Sequence, residues 1–360
     1  MNADYQNYFK NYIHHIDRNN NMGLVRYILA FGVLIAHFNV VFNADMPWII
    51  SSYFSVGGFF ALSGFVLFNS LLKGKGLKLY FVNRAWRIFP SYFFIVIVCS
   101  ICLSFVSDLT IKNYFFSDGF WKYLFANLSF LNFIHPDLPG VFNYEAVNGS
   151  LWTMKIECQL TISAPIIIWL ITKYKLNITR SIFCIILISI LYRIFFQLLF
   201  ENTNTEIYEI LGRQFIGQFI FFTSGIYLYL IFKHIKKHIN LIFIACIILF
   251  IYFEYFIYTP ISYLIIIPII ISILAISCSF CKIPRIKFFE NNNISYEIYL
   301  CHFPVLQLIK HFKIHEYYGI IPAFIFSILG TLIISLICYH TVGNLYLKRK
   351  NYKSSPLAVK

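Results

Sequence analysis

The chain has 360 residues, of which 59% are hydrophobic, 20% aromatic and 12% charged, and its formal net charge is +14. A water-soluble globule cannot cover that much apolar surface, and apolar runs near twenty residues recur throughout, so the composition excludes a soluble domain and predicts a polytopic membrane protein. The excess lysine and arginine gathers in short connections between apolar runs, which is where a membrane protein places it, so the charge implies no nucleic-acid partner.

The first 22 residues are polar, end in DRNNNMG and lack the apolar core and small-residue cleavage site of a secretory signal peptide. They read as a retained cytoplasmic segment. Apolar windows then predict ten helices, near 23–43, 48–72, 88–107, 150–172, 181–200, 214–232, 239–257, 261–281, 292–312 and 318–341. The expected fold class is therefore all-α, a polytopic membrane helical bundle of about ten transmembrane helices, with 23–345 as the transmembrane domain and 346–360 as a basic cytoplasmic tail. A shorter apolar patch at 123–134, ahead of HPDLPG, is too brief to span and reads as re-entrant or interfacial.

Connections after the even-numbered helices carry Lys73, Lys75, Lys78, Arg84 and Arg87, then Lys173, Lys175 and Arg180, then Lys233, Lys236 and Lys237, then Lys282, Arg285 and Lys287. The opposite side is acidic, with Asp45, Asp108, Asp118, Asp137, Glu145, Glu201 and Glu206 among others. By the positive-inside rule both termini are cytoplasmic. The nine cysteines lie in or beside apolar stretches. The CxxC spacings Cys99/Cys102 and Cys278/Cys281 lack partner pairs at zinc-site spacing, so they read as small apolar helix residues, with no metal and no resident cofactor expected.

The ionisable residues left within or at the edge of spans are Arg26, His37, Lys155, Glu157, Arg193, Glu297, His302 and His340. Each is costly against lipid and is expected to face protein or a wet cavity. Arg26 and His37 differ by eleven positions, about three turns plus 20° and a rise of about 16 Å, so they share a helix face at different depths. That arrangement suits a titratable imidazole held deep behind a cation at the cytoplasmic mouth; a snorkelling anchor beside a helix-bonded histidine would leave the same pattern. GGFFALSGFVLF (57–68) places Gly57, Gly58, Gly64 and Ser63 in an apolar run, which fits close helix packing and substrate contact equally. In YFVNRAWRIFPSY (80–92), Arg84 and Arg87 stand three apart on one face, and Pro90 bends or restarts the helix. Two arginines there suit phosphate groups, with anionic lipid headgroups as the alternative. Further on, Trp152 fits an interfacial aromatic belt, Glu157 lies more than a turn deeper, and His302 precedes Pro304, whose ring leaves a backbone carbonyl in need of a partner.

In order along the chain, these segments resemble the acyltransferase-3 family of integral membrane acyltransferases, known for O-acetylating bacterial surface polysaccharides. The likeness rests on Arg26-x10-His37, FFALSGF (59–65), FVNRAWRIFPSY (81–92), SLWTMKIE (150–157), FTSGIYLYL (222–230) and SYEIYLCHFP (295–304). Two departures stand out: Leu160 and Thr161 replace an aromatic pair that often follows the helix 4 glutamate, and Glu297 occupies a position that is usually small. The resemblance implies a multi-pass enzyme of the bacterial cytoplasmic (inner) membrane that moves an acetyl or other short acyl group from acyl-CoA, acetyl-CoA foremost, to a hydroxyl of a capsule, O-antigen or lipid-linked glycan. It implies His37 and Glu157 as catalytic residues, Arg26, Arg84, Arg87 and Ser63 on the acyl donor, and Trp152 and His302 as acceptor-binding or orienting groups. His37 would act as general base or as a transient acyl carrier. An exporter, flippase or polymerase of lipid-linked sugars is the competing class, sharing the span count but consuming no acyl donor.

Overall fold

The computed structural model describes residues 20–47, 50–73, 76–257, 259–260, 262–282 and 293–345, together with Phe9, Tyr12, Ile16 and Pro284. Most of the 1–22 segment, the whole 346–360 tail, and Lys75, Arg285 and Lys287 lie outside the described residues. Among the described residues the regular structure is helical, without strands. We number the principal helices α1 (Met22–Phe42), α2 (Ser52–Leu72), α3 (Leu77–Cys102), α4 (Asp118–Leu128), α5 (Trp152–Lys173), α6 (Ile178–Thr203), α7 (Phe215–Leu230), α8 (Ile239–Tyr255), α9 (Ile267–Phe280), α10 (Ser295–His311) and α11 (Ile320–Cys338). In a bilayer every backbone N–H and C=O must be satisfied within the protein, so even isoleucine-rich runs with modest helix propensity close into helices.

All ten expected helices are present, as α1–α3 and α5–α11. Among the described residues eight of them are long and apolar enough to cross a membrane, α8 and α9 when counted with the helical turns that lead into them, over Phe232–Tyr255 and Ser262–Phe280. The other two, α7 with 16 residues and α10 with 17, fall short, because the apolar windows that predicted them run past their helical ends. Pro90 does not restart the chain: α3 runs through it for 26 residues, with Arg84 and Arg87 in its first three turns. The 123–134 patch divides into the end of α4 and a turn. At 11 residues α4 rises about 16 Å and cannot span. It buries Phe120, Tyr123 and Asn127 on one side and exposes Trp121 and Phe125 on the other, the pattern of an interfacial helix. Ser117 caps its first turn by accepting the Phe120 N–H.

The chain divides into two compact units, the first holding the described residues of Met1–Leu29, Ser52–Tyr80 and Ile156–Asn293, the second those of Ala30–Ser51, Phe81–Lys155 and Ile294–Lys360. In the first, α2 packs on α7 through small residues. A Cβ on Gly64 would collide with the Phe222 carbonyl, and one on Gly225 with the Ala61 carbonyl, so two backbones meet where side chains would normally hold them apart. The glycines of GGFFALSGF thus serve packing.

Helix prolines shape the same unit. Pro165 removes the N–H that would reach the Thr161 carbonyl, and the Tyr80 hydroxyl donates to that oxygen at 2.9 Å. Pro268 follows a wide turn at Ser262–Ile266 and leaves carbonyls there without helical donors. Arg193 Nε donates to the Leu264 carbonyl at 3.2 Å, its Nη2 to the Tyr53 hydroxyl at 2.6 Å, and Tyr53 passes a hydrogen bond to the Tyr263 carbonyl at 3.3 Å. The embedded arginine singled out in the sequence therefore closes a broken helix turn.

In the second unit Phe38 and Phe42 of α1 pack with Val305, Leu306 and Ile309 of α10 and Ala323 of α11. The Phe38 ring meets Phe42 at 4.6 Å and Phe324 at 5.0 Å between centroids. This cluster clamps the C-terminal half of α1 against α10, one residue after His37 and one turn after His302, and so sets which side chains meet there.

Candidate active site

His37 and His302 meet. His37 Nδ1 lies 2.8 Å from His302 Nε2, and the two rings are within 12° of parallel. His302 is fully buried, whereas His37 is half-buried. The direction of proton donation follows from the far side of His302. Its Nδ1 sits 2.7 Å from the Tyr299 carbonyl and 3.3 Å from that of Ile298. A carbonyl only accepts, so Nδ1 carries the proton; in the neutral ring Nε2 is then bare and must accept from His37 Nδ1–H. His37 is left with an unprotonated Nε2, the nitrogen not used in the pair. Phe303 closes one side, with its ring edge-on to His37 at 5.3 Å and 84°.

The geometry resembles an oriented base: one imidazole presents a lone pair, and the second holds it in one tautomer while remaining able to stabilise the positive charge left when it takes a proton.

The turn before α5 braces this pair. Asn148 Nδ2 donates to the Leu300 carbonyl at 2.8 Å, the oxygen left without a helical donor by Pro304, and Asn148 Oδ1 accepts the Ser150 hydroxyl at 2.7 Å. The Tyr299 hydroxyl donates to the Ser150 carbonyl at 3.1 Å and lies 2.6 Å from Thr153 Oγ1. Gly149 leaves the room that Phe303 fills, since a Cβ there would stand 2.9 Å from the ring. Asn148, Ser150, Thr153 and Tyr299 escaped the sequence reading as site residues; the orphan carbonyl of Pro304 was the signal that pointed to one of them.

The other expected residues fall as follows. Arg26 shares the unbroken α1 with His37, and its Nη2 approaches Met22 Sδ at 3.4 Å. Within the first unit Ser63 donates to Glu157 Oε1 at 2.8 Å, so a residue expected on the acyl donor and one expected to be catalytic form a pair with each other. Trp152 opens α5, half-buried. Lys155 sits 4.5 Å from the Phe133 ring centroid. Glu297 is buried and accepts from the Ser91 hydroxyl at 2.9 Å, and Arg87 is the cation whose field reaches it. Among the described residues no group of three or more His, Cys, Asp or Glu side chains is placed to hold a metal ion.

The chain belongs to the acyltransferase-3 family: the acyltransferase domain of that family matches residues 19–340. It is similar to Nodulation protein 10 of Rhizobium leguminosarum bv. viciae, 25% identical over 180 residues that cover 45% of this chain and 47% of that protein. It is similar to an O-acetyl transferase of Shigella phage Sf6, 24% identical over 39% of this chain and 43% of that one. It is also similar to the peptidoglycan O-acetyltransferase of Listeria monocytogenes serovar 1/2a, 24% identical over 38% of this chain and 23% of that one. The chain spans less than half the length of each of these relatives. No solved structure matches it.

Proposed function

We propose that this protein is an O-acyltransferase of the bacterial inner membrane, both termini cytoplasmic, which moves an acetyl or other short acyl group from acyl-CoA to a hydroxyl of a surface glycan. The observation that carries the proposal is the bare Nε2 of His37, held in that state by His302 and the Tyr299 carbonyl. An imidazole so fixed takes the proton of an attacking sugar hydroxyl, or itself attacks the thioester and carries the acyl group for one step. Both routes use the same lone pair.

In the first route the hydroxyl oxygen forms a bond to the thioester carbonyl carbon, its proton passes to His37 Nε2, and the C–S bond breaks to release the CoA thiolate, which recovers that proton. Arg84 carries the anionic part of the donor, and Arg26 and Arg87 add positive field at the cytoplasmic end of their helices. In the first unit Ser63 and Glu157 supply a hydroxyl and a carboxylate, and in the second Trp152 supplies an aromatic face, each of a kind suited to binding a sugar. The family membership and the O-acetyl transfer named for two of the relatives support this reading.

The test is label transfer from radiolabelled acetyl-CoA to a lipid-linked or polymeric glycan by purified protein in liposomes. We expect transfer by wild type and none by His37→Ala. Unchanged transfer in that variant removes His37 from the chemistry, and no transfer with any donor and acceptor pair favours sugar export. Rapid-quench recovery of acyl label on the protein separates the carrier route from the base route.

A further inference from the structure

We infer that Asn148 is a positioning residue for the histidine pair, acting as a latch on the turn that Pro304 opens; the inference rests on the reading of His37 as the working imidazole.

Pro304 has no N–H, and its ring pushes away the carbonyl four residues earlier, that of Leu300. Inside an apolar helix an orphan carbonyl is costly, so something must donate to it. Asn148 Nδ2 does so at 2.8 Å. Its amide orientation is unambiguous, because Leu300 offers only an acceptor while the Ser150 N–H, 3.2 Å from Oδ1, offers only a donor.

The other end of the same amide decides a competition. The Ser150 hydroxyl has one proton and two acceptors in reach, Asn148 Oδ1 at 2.7 Å and the Tyr299 carbonyl at 3.4 Å. While Asn148 takes it, the Ser150 hydroxyl makes no short bond to the Tyr299 carbonyl, which accepts from His302 Nδ1 at 2.7 Å. That bond fixes the His302 tautomer, which in turn fixes His37 with Nε2 bare. Removing Asn148 frees the Leu300 carbonyl and turns Ser150 toward Tyr299, where a second side-chain donor shares the oxygen and weakens its bond to His302, so both ends of the change loosen the tautomer of His302. Asn148 touches neither imidazole and no substrate atom is assigned to it; its effect runs through the backbone of α10.

The decisive variants are Asn148→Ala, Pro304→Ala and the pair together. Alanine at 304 restores the helical N–H to Leu300 and makes half of the latch redundant. We expect Asn148→Ala to lower kcat by about 10–100-fold, by analogy with the loss when the partners that orient metal-bound histidines are removed, with KM for acetyl-CoA moved by less than about threefold. Adding Pro304→Ala should recover about half of that loss on a logarithmic scale, since only the Leu300 arm is replaced. Histidine 15N NMR in nanodiscs reads the pair without turnover. Wild type should show a nitrogen–nitrogen coupling across the His37–His302 hydrogen bond, identified by its loss in His37→Gln. The coupling should weaken or vanish in Asn148→Ala and return in part in the double variant.

A wild-type kcat and intact coupling in Asn148→Ala, or no recovery on adding Pro304→Ala, overturns the latch. Should Asn148→Ala fail to fold, the double variant decides alone: folding with a detectable coupling supports the latch, and failure to fold overturns it. If wild type transfers no acyl group, the function proposed above falls, while the coupling still reports on the latch.

Discussion

Two polar pairs sit in apolar surroundings, one in each unit, and they differ in what they leave over. Ser63 and Glu157 form a donor and an acceptor at 2.8 Å, a single contact in which the carboxylate takes the hydroxyl's hydrogen bond and keeps further acceptor positions. His37 and His302 form a pair whose protons are ordered from a backbone carbonyl outward, so that one nitrogen ends bare. The difference teaches that burial alone does not mark the reactive group. What marks it is a hydrogen-bond chain with a fixed direction and an unused end.

The comparison breaks most sharply at His37. His37→Ala should lower acyl transfer by at least about 10³-fold while the protein remains monodisperse, as expected when a base or acyl carrier is deleted. Steady-state kinetics in proteoliposomes measures it. Next comes His302, where chemistry rather than volume should decide. His302→Leu removes the acceptor for His37 Nδ1–H and should cost about 10²-fold in kcat, whereas His302→Gln keeps an acceptor oxygen and should cost clearly less. Equal losses in the two variants would mean that His302 fills space only.

The first-unit pair should behave as a coupled structural contact of smaller size. A double-mutant cycle of Ser63→Ala and Glu157→Leu, read as thermal stability in detergent, should return a coupling energy of about 1 kcal/mol. A value near zero would show that the hydroxyl and the carboxylate stand side by side without binding.

The smallest effect belongs to the exposed contact between the loop before α5 and the end of α10. Glu145 lies within 2.7 and 2.9 Å of Lys310 Nζ, and Gln307 also donates to it. The Lys310 ammonium, through its hydrogen bond, holds the Glu145 carboxyl below the ordinary carboxylate range. A lowered carboxylate contributes stability that is fully present above its unfolded value and is lost as pH falls through the folded one. Lys310→Met should therefore lower stability near pH 7 by at most about 1 kcal/mol, because the pair is half-exposed. The difference from wild type should fade on acidification below about pH 4.5, a value set by ordinary glutamate titration. A difference that persists at pH 3 would point to lost packing instead.

Helix count, the histidine on α1 and the histidine on α10 were legible in the sequence, because apolar windows and short spacings are local signals. Arg193 was legible as an expensive residue, but its purpose was not, since the broken turn it closes lies 71 positions away. Pro304 announced an orphan carbonyl without naming the donor, which is 152 positions from Leu300. Likewise nothing local joins Ser63 to Glu157 or Glu297 to Ser91. Hydropathy windows also overstated α7 and α10, since averaging cannot see where the helical hydrogen bonds stop.

The shortness of α10 bears on the lipid as well as on the protein. A helix of 17 residues rises about 26 Å, several ångströms less than a typical hydrocarbon layer of about 30 Å. Because α10 is buried among its neighbours along most of its length, the difference falls at the helix ends, which water and headgroups reach more readily in a thinner bilayer. Acyl transfer, if it is measured in reconstituted membranes, should accordingly follow acyl-chain length, fastest in the thinner bilayers.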